Sequence, residues 1–268
     1  MVLSFVFMLI RLLSTLVLAP VFLAVIWYGD PYFKWSVALL AVTGGAELLK
    51  ISGDSRRRVL HVAALALLFL SLTALIVKQA FFACVALLLA AAIAWSISRR
   101  EDANRFWGSM GFLYIFICAF AIFEIRDWTP AGREWVLWFF AVVWAADIGA
   151  YIVGKNIGGV KLCPAISPGK TWSGAAGGLA IAIITSLVLS RVFLPEQGIL
   201  EMIFLGAIIC VASQIGDLLE SYFKRVNAIK DSGRLIPGHG GILDRIDGVL
   251  LAAPVTFLFV PHLTKAVS

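Results

Sequence analysis

Val59-Leu-His-Val-Ala-Ala-Leu-Ala-Leu-Leu-Phe-Leu-Ser-Leu-Thr-Ala-Leu-Ile-Val77 runs without one charged side chain, and only His61, Ser71 and Thr73 interrupt its apolar character. A helix rises about 1.5 Å per residue, so this stretch reaches about 28 Å, close to the ~30 Å of hydrocarbon in a bilayer. A soluble helix of that length would keep a polar face. The same pattern recurs along the chain and predicts spans near residues 12–28, 34–50, 59–77, 79–97, 109–125, 135–154, 173–193, 199–218 and 248–264. The short alternating strands of a membrane barrel are missing from the pattern. With 61% hydrophobic and 14% charged residues in 268, and a mean hydropathy of +0.96, the chain reads as an all-α, polytopic transmembrane helix bundle of about nine spans. Residues 1–10 read as an interfacial lead-in. No small-residue cleavage site follows the first apolar run, so 12–28 is expected as a retained helix.

Orientation follows from the basic residues. With a cytoplasmic N-terminus, sixteen of the 22 Lys and Arg fall on one side of the predicted membrane and six on the other. The positive-inside rule puts the richer side, including residues 221–247, in the cytoplasm of a multi-pass protein in the cell's inner (plasma) membrane. The net charge of +6 then points to anionic lipid heads and phosphorylated substrates, and away from nucleic acid. Cys84, Cys118, Cys163 and Cys210 are far apart and show no ligand spacing, so they read as packing residues.

Chemistry-bearing residues concentrate in the C-terminal half. Residues 1–108 are apolar helices joined by short basic loops and are expected to serve packing and substrate access, whereas 109–268 hold the motifs, above all the segment 221–247. Ionisable groups are costly beside a bilayer, so such a concentration marks a candidate site. Asp217, Glu220, Ser221 and Lys224 are spaced to share one helical face, and Gln214 extends that face one turn back. Asp244 and Asp247 share a face at the start of the next helix, where acidic residues also complement the helix dipole. Together with Asp217 they have the chemistry to hold Mg²⁺, a hard cation that prefers oxygen and retains waters for a phosphorylated substrate. Between the two helices, Pro237-Gly238-His239-Gly240-Gly241 reads first as a turn, with backbone amides that suit an anion and His239 as a base or phosphate donor.

Two further groups lie upstream. Ser167-Pro168-Gly169-Lys170-Thr171-Trp172 is expected to form a turn that offers Lys170 as a point charge and Ser167 and Thr171 as hydroxyls; it lacks the spacing of a P-loop. Asp147 lies inside an apolar helix, where a carboxylate is a candidate functional group. Glu47 is closer to its helix end, and its simplest account is a pair with Lys50 three residues on. Gly44-Gly45 and Gly174-x-x-x-Gly178 read as patches for close helix packing.

The pattern Ser221-x2-Lys224-Arg225-x4-Lys230-Asp231-x-Gly233-x2-Ile236-Pro237-x-His239-Gly240-Gly241-Ile242-x-Asp244-Arg245-Ile246-Asp247 resembles the signature of the phosphatidate cytidylyltransferase (CDP-diacylglycerol synthase) family. The Ser167–Trp172 motif and the Asp147 helix resemble the same family's catalytic half. Ser173 departs from the longer polar residue expected there. The resemblance implies a bundle with a cytoplasm-facing polar cavity and an Mg²⁺-dependent transfer of CMP from CTP to phosphatidic acid, with release of pyrophosphate. A companion cation, Mg²⁺ or K⁺, and a homodimer are both compatible with it. It makes Asp217 and Asp244 the first choices for metal ligands, joined by Ser221. Lys170, Lys224, Arg225, Lys230 and Arg245 become candidates for phosphate, and Asp247 and Asp231 for orienting those cations. That agrees with the chemistry: the lipid phosphate is already an anionic nucleophile, so charge neutralisation matters more than a strong base. A CTP-dependent lipid kinase is the alternative enzyme. A transporter would predict two related halves with broken helices, which the sequence does not display.

Overall fold

In hydrocarbon the backbone must satisfy its own N–H and C=O groups, and a helix does so within one segment. The computed structural model describes residues 20–52, 57–98, 102–233, 235 and 240–265, with backbone alone over 102–107 and 261–265. Among these, α1 covers residues 20–28. It is followed by α2 (Tyr32–Ser52), α3 (Arg58–Ile76), α4 (Ala80–Ile97), α5 (Asp102–Asp127), α6 (Gly132–Ile157), α7 (Trp172–Phe193), α8 (Ile199–Val226) and α9 (Leu243–Lys265). Every predicted span falls on one of these helices to within a residue, apart from residues 12–19, which lie outside the described residues. Among the described residues seven helices, α2 to α8, are long and apolar enough to cross a membrane. The protein is a polytopic helical membrane protein, and its four cysteines are free thiols.

The chain divides into two compact units, one of Met1–Phe120 with Phe223–Ile246, the other of Ala121–Tyr222 with Asp247–Ser268. In the first, α3 and α4 form a hairpin. Lys78 turns the chain in the left-handed region (φ 60°), and the N–H groups of Lys78 and Gln79 donate back to Leu75 O (2.9 Å) and Ala74 O (2.7 Å). The Ser71 hydroxyl donates across the hairpin to Ala83 O at 2.9 Å, and Arg57 Nη1 donates to Ser96 O at 2.8 Å. Val59, Phe81 and Leu88 are exposed, as suits side chains facing lipid. At Gly45 an added Cβ would lie 2.9 Å from Leu68, so α2 and α3 approach closely there.

In the second unit the Gly174-x-x-x-Gly178 patch does what its pattern predicts. A Cβ at Gly174 would meet Ala150 O at 2.8 Å, one at Gly178 would meet Ala146 O at 2.8 Å, and one at Gly177 would meet Val153 Cβ at 2.4 Å. These glycines set α7 directly against the backbone of α6. Trp138 Nε1 donates to Ser186 O (3.1 Å), and Ser186 Oγ donates to Met202 O (2.6 Å), so buried polar groups tie α6, α7 and α8 together. Gly177→Leu is expected to destabilise the fold by about 1–3 kcal/mol through overpacking, read as a lower melting temperature in detergent. Gly169→Ala, where an added Cβ meets nothing within 4 Å, should melt like the native chain. Equal melting of the two variants would contradict the close approach.

One local element differs from expectation. Ser167–Thr171 is a strand, β2, paired antiparallel with β1 (Lys161–Cys163). Pro168 and Gly169 suggested a turn, but the turn that joins the two strands lies earlier, at residues 164–166, where Ile166 N–H donates to Cys163 O at 3.2 Å. Gly158 (φ 65°) and Gly159 (φ 98°) take the positive values that glycine adopts without strain, and they redirect the chain out of α6. Trp172 N–H then donates to Val160 O at 3.0 Å. A proline has no N–H for a ladder, and this two-stranded edge position does not need one.

Candidate active site

The second unit gathers one set of polar groups around α8. Thr171 caps α7, its hydroxyl accepting from Gly174 N–H at 3.1 Å, while Ser173 Oγ bonds both Thr171 Oγ1 and Gly158 O. Capping fixes the end of β2 and with it Lys170, whose ammonium lies 2.7 Å from Asp217 Oδ2. Ser221, one turn further along α8, donates to Asp217 Oδ1 at 3.3 Å. The Lys170 and Asp217 side chains are 24% and 33% exposed, so this pair is open to a polar ligand. Asp247 is half-buried and feels the charges of Asp217, Glu220 and Asp147. Asp217, Glu220 and Asp147 thus add negative charge around Asp247. Gln214 on the same helix reaches Ala175 O (3.2 Å) and Cys210 Sγ (3.2 Å) and so braces α7. Asp147 is exposed on α6, and Ser167 is half-buried on β2.

The first unit holds a separate set around Asp244. Lys224 Nζ donates to Asp244 Oδ1 at 2.7 Å, with side-chain exposures of 11% and 8%. Asp244 Oδ2 accepts from Ser232 N–H (2.9 Å), Ser232 Oγ (3.0 Å) and Gly241 N–H (2.9 Å). Burial pushes the Asp244 carboxyl up, but the Lys224 hydrogen bond and charge and the two backbone amides outweigh it and hold the group below its ordinary value. Gly240 takes φ 84°, and a Cβ there would lie 2.6 Å from Asp244 Oδ2. The glycine expected to sharpen a turn is therefore also what lets the loop wrap this carboxylate.

Glu47 is where the structure departs most from the sequence reading. Its carboxylate does not serve Lys50, which is exposed. It is 3% exposed and accepts from Ile242 N–H (2.9 Å), Leu243 N–H (3.0 Å) and Ser232 Oγ (2.9 Å). Those amides belong to the open N-terminal end of α9, whose first donors lack intrahelical acceptors. Ser232 went unassigned in the sequence as well. No spacing rule joins residues nearly two hundred positions apart, and the only local hint was a carboxylate in an apolar helix.

The remaining candidates are placed more loosely. Arg225 Nη1 donates to Ile229 O at 3.3 Å, and Lys230, Asp231 and Arg245 are exposed on the signature loop and first turn of α9. His239 lies outside the described residues. Among the described residues no three His, Cys, Asp or Glu side chains are arranged to cage a metal by themselves.

Comparison with known proteins agrees with these features. The model of the cytidylyltransferase family matches residues 9–263. The chain is 33% identical to a phosphatidate cytidylyltransferase of Brucella suis over 249 residues, covering 93% of this chain and 92% of that protein. It is 34% identical to one of Pseudomonas aeruginosa over 260 residues, covering 91% and 94%. To one of Haemophilus influenzae it is 46% identical over 131 residues, covering 46% and 44%.

Proposed function

This chain belongs to the cytidylyltransferase family, and from that membership we propose that it is an integral-membrane nucleotidyltransferase of phospholipid biosynthesis that transfers CMP from CTP to phosphatidic acid. The observation that carries the reading is similarity over more than nine-tenths of both chains to relatives named phosphatidate cytidylyltransferase. A phosphate oxygen of phosphatidic acid attacks the α-phosphorus of CTP, the bond from that phosphorus to the bridging oxygen breaks, and pyrophosphate leaves. CDP-diacylglycerol is the product.

The residues suit a reaction between anions. Lys170 is held by Asp217 at a partly open position, where an incoming phosphate can share its charge. Ser221 keeps the Asp217 carboxylate oriented. Lys224, Arg225, Lys230 and Arg245 are the proposed phosphate partners on the signature segment, with Asp231 and Asp247 orienting cations. His239, Ser167 and Asp147 are proposed to contact substrate, whereas the Thr171 hydroxyl is buried and engaged in capping α7. Asp217 and Ser221 offer oxygen donors of the kind Mg²⁺ prefers, and Mg²⁺ when bound would neutralise charge on the nucleotide phosphates. Asp244 was expected as a second ligand, and its lone pairs are engaged by Lys224, Ser232 and Gly241. A ligand role for it would require Lys224 to give way.

The basic residues support an inner-membrane protein whose reaction faces the cytoplasm. The test uses purified protein in detergent with phosphatidic acid, Mg²⁺ and CTP labelled separately at the α- and γ-phosphates. Label from the α position should enter the lipid while γ-label leaves as pyrophosphate. Entry of γ-label into the lipid would instead make the protein a CTP-dependent kinase.

A further inference from the structure

Gly233 and residues 241–243 of the signature close around a side chain that the signature does not contain. Glu47, on α2, is enclosed by the loop's own backbone: a Cβ at Gly233 would lie 2.5 Å from its Oε1, and one at Gly241 would lie 2.3 Å from its Oε2. Two glycines of the signature are thus small because this carboxylate occupies the space. One Glu47 oxygen accepts from Ile242 N–H; the other accepts from Leu243 N–H and meets the Ser232 hydroxyl. That hydroxyl also meets Asp244 Oδ2 at 3.0 Å. A hydroxyl has a single proton, so Ser232 donates to one carboxylate at a time while lying within hydrogen-bonding reach of both, which ties the position of Asp244 to that of Glu47. Asp244 in turn holds Lys224.

We propose that Glu47 is a positioning residue for the transfer reaction: from the N-terminal part of the chain it pins the first turn of α9 and Ser232, and through them sets Asp244 and Lys224. The inference rests on the proposed CMP transfer for its catalytic meaning and on geometry alone for the clamp. A carboxylate is suited to the place because three donors converge on it and it brings no donor of its own. Glutamine has the same size but puts an NH₂ group against those donors.

The experiment compares full-length wild type and Glu47→Gln in detergent, with rates counted per monodisperse enzyme on size exclusion. Loss of a charged hydrogen-bond acceptor is expected to lower kcat by about 10–100-fold, with a smaller change in KM for CTP, since Glu47 acts through Asp244 and Lys224. A Glu47→Gln enzyme with native kcat overturns the proposal. A second cycle uses Gly233→Ala, whose Cβ would strike Glu47. In a Glu47→Ala background that collision is gone, so the double variant should be no slower than Glu47→Ala alone, and additive losses would overturn the contact. Hydrogen exchange separates this proposal from the functional reading. If wild type itself transfers no CMP, the function is wrong. The clamp still predicts about tenfold faster exchange at the Ile242 and Leu243 amides in Glu47→Gln, and unchanged exchange sinks it.

Discussion

Replacing Asp217 with Asn is expected to lower kcat for CMP transfer by about a thousandfold, equivalent to ~4 kcal/mol of transition-state stabilisation, and to leave the protein folded. Asn keeps the shape of the side chain and can still accept from Ser221, but it removes the negative charge that Lys170 now meets at 2.7 Å. Lys170 loses the partner that aims it, and a hard cation, if bound there, would lose an anionic donor. Both effects fall on a step in which two anions must approach each other. The cost to the fold is small by comparison, because the Asp217 side chain is a third exposed and such pairs contribute little net stability. The check is transfer of α-label from CTP to lipid, alongside melting in detergent. Full turnover by Asp217→Asn would remove this carboxylate from the reaction. A collapsed melting transition would make its role structural.

Lys224→Met is expected to damage both activity and stability. The change keeps the aliphatic stem and deletes a charge that lies 2.7 Å from Asp244 in nearly buried surroundings. Removing one partner of a buried pair costs about 3 kcal/mol, here at the low end because Ser232 and Gly241 still donate to Asp244. The pH dependence has a definite sign. Asp244 is held below its ordinary pKa in the folded protein, so its contribution is present above the unfolded value of about 3.9 and is lost as pH falls through the lower folded value. The gap in melting temperature between wild type and Lys224→Met should therefore be widest near neutrality and shrink below about pH 4. A gap that stays constant with pH would assign the loss to packing of the Lys224 stem.

The spans and the signature could both be read from the chain because each is a local property. A run such as Val59–Val77 has no alternative to a membrane helix, since all but three of its residues favour hydrocarbon and only a helix satisfies its backbone there. Gly174 and Gly178 were legible as packing positions because their spacing places them on one helix face. Spacing likewise put Asp217 and Ser221 one turn apart on α8, where the hydrogen bond between them forms. The strand at Ser167–Thr171 is hidden in the sequence because its Pro and Gly signal a turn, whereas its pairing with Lys161–Cys163 is made by a turn at residues 164–166.

The membrane class and the positions of the helices follow from composition and short-range periodicity, and the signature residues from a resemblance carried by one contiguous segment. The packing of distant segments settles which donors each carboxylate meets. It gave Asp217 to Lys170, Asp244 to Lys224 and Ser232, and Glu47 to the first amides of α9. A buried carboxylate takes whatever donors the packed helices bring within hydrogen-bonding distance, and that choice is made by contacts between segments far apart in the chain, which no local pattern encodes.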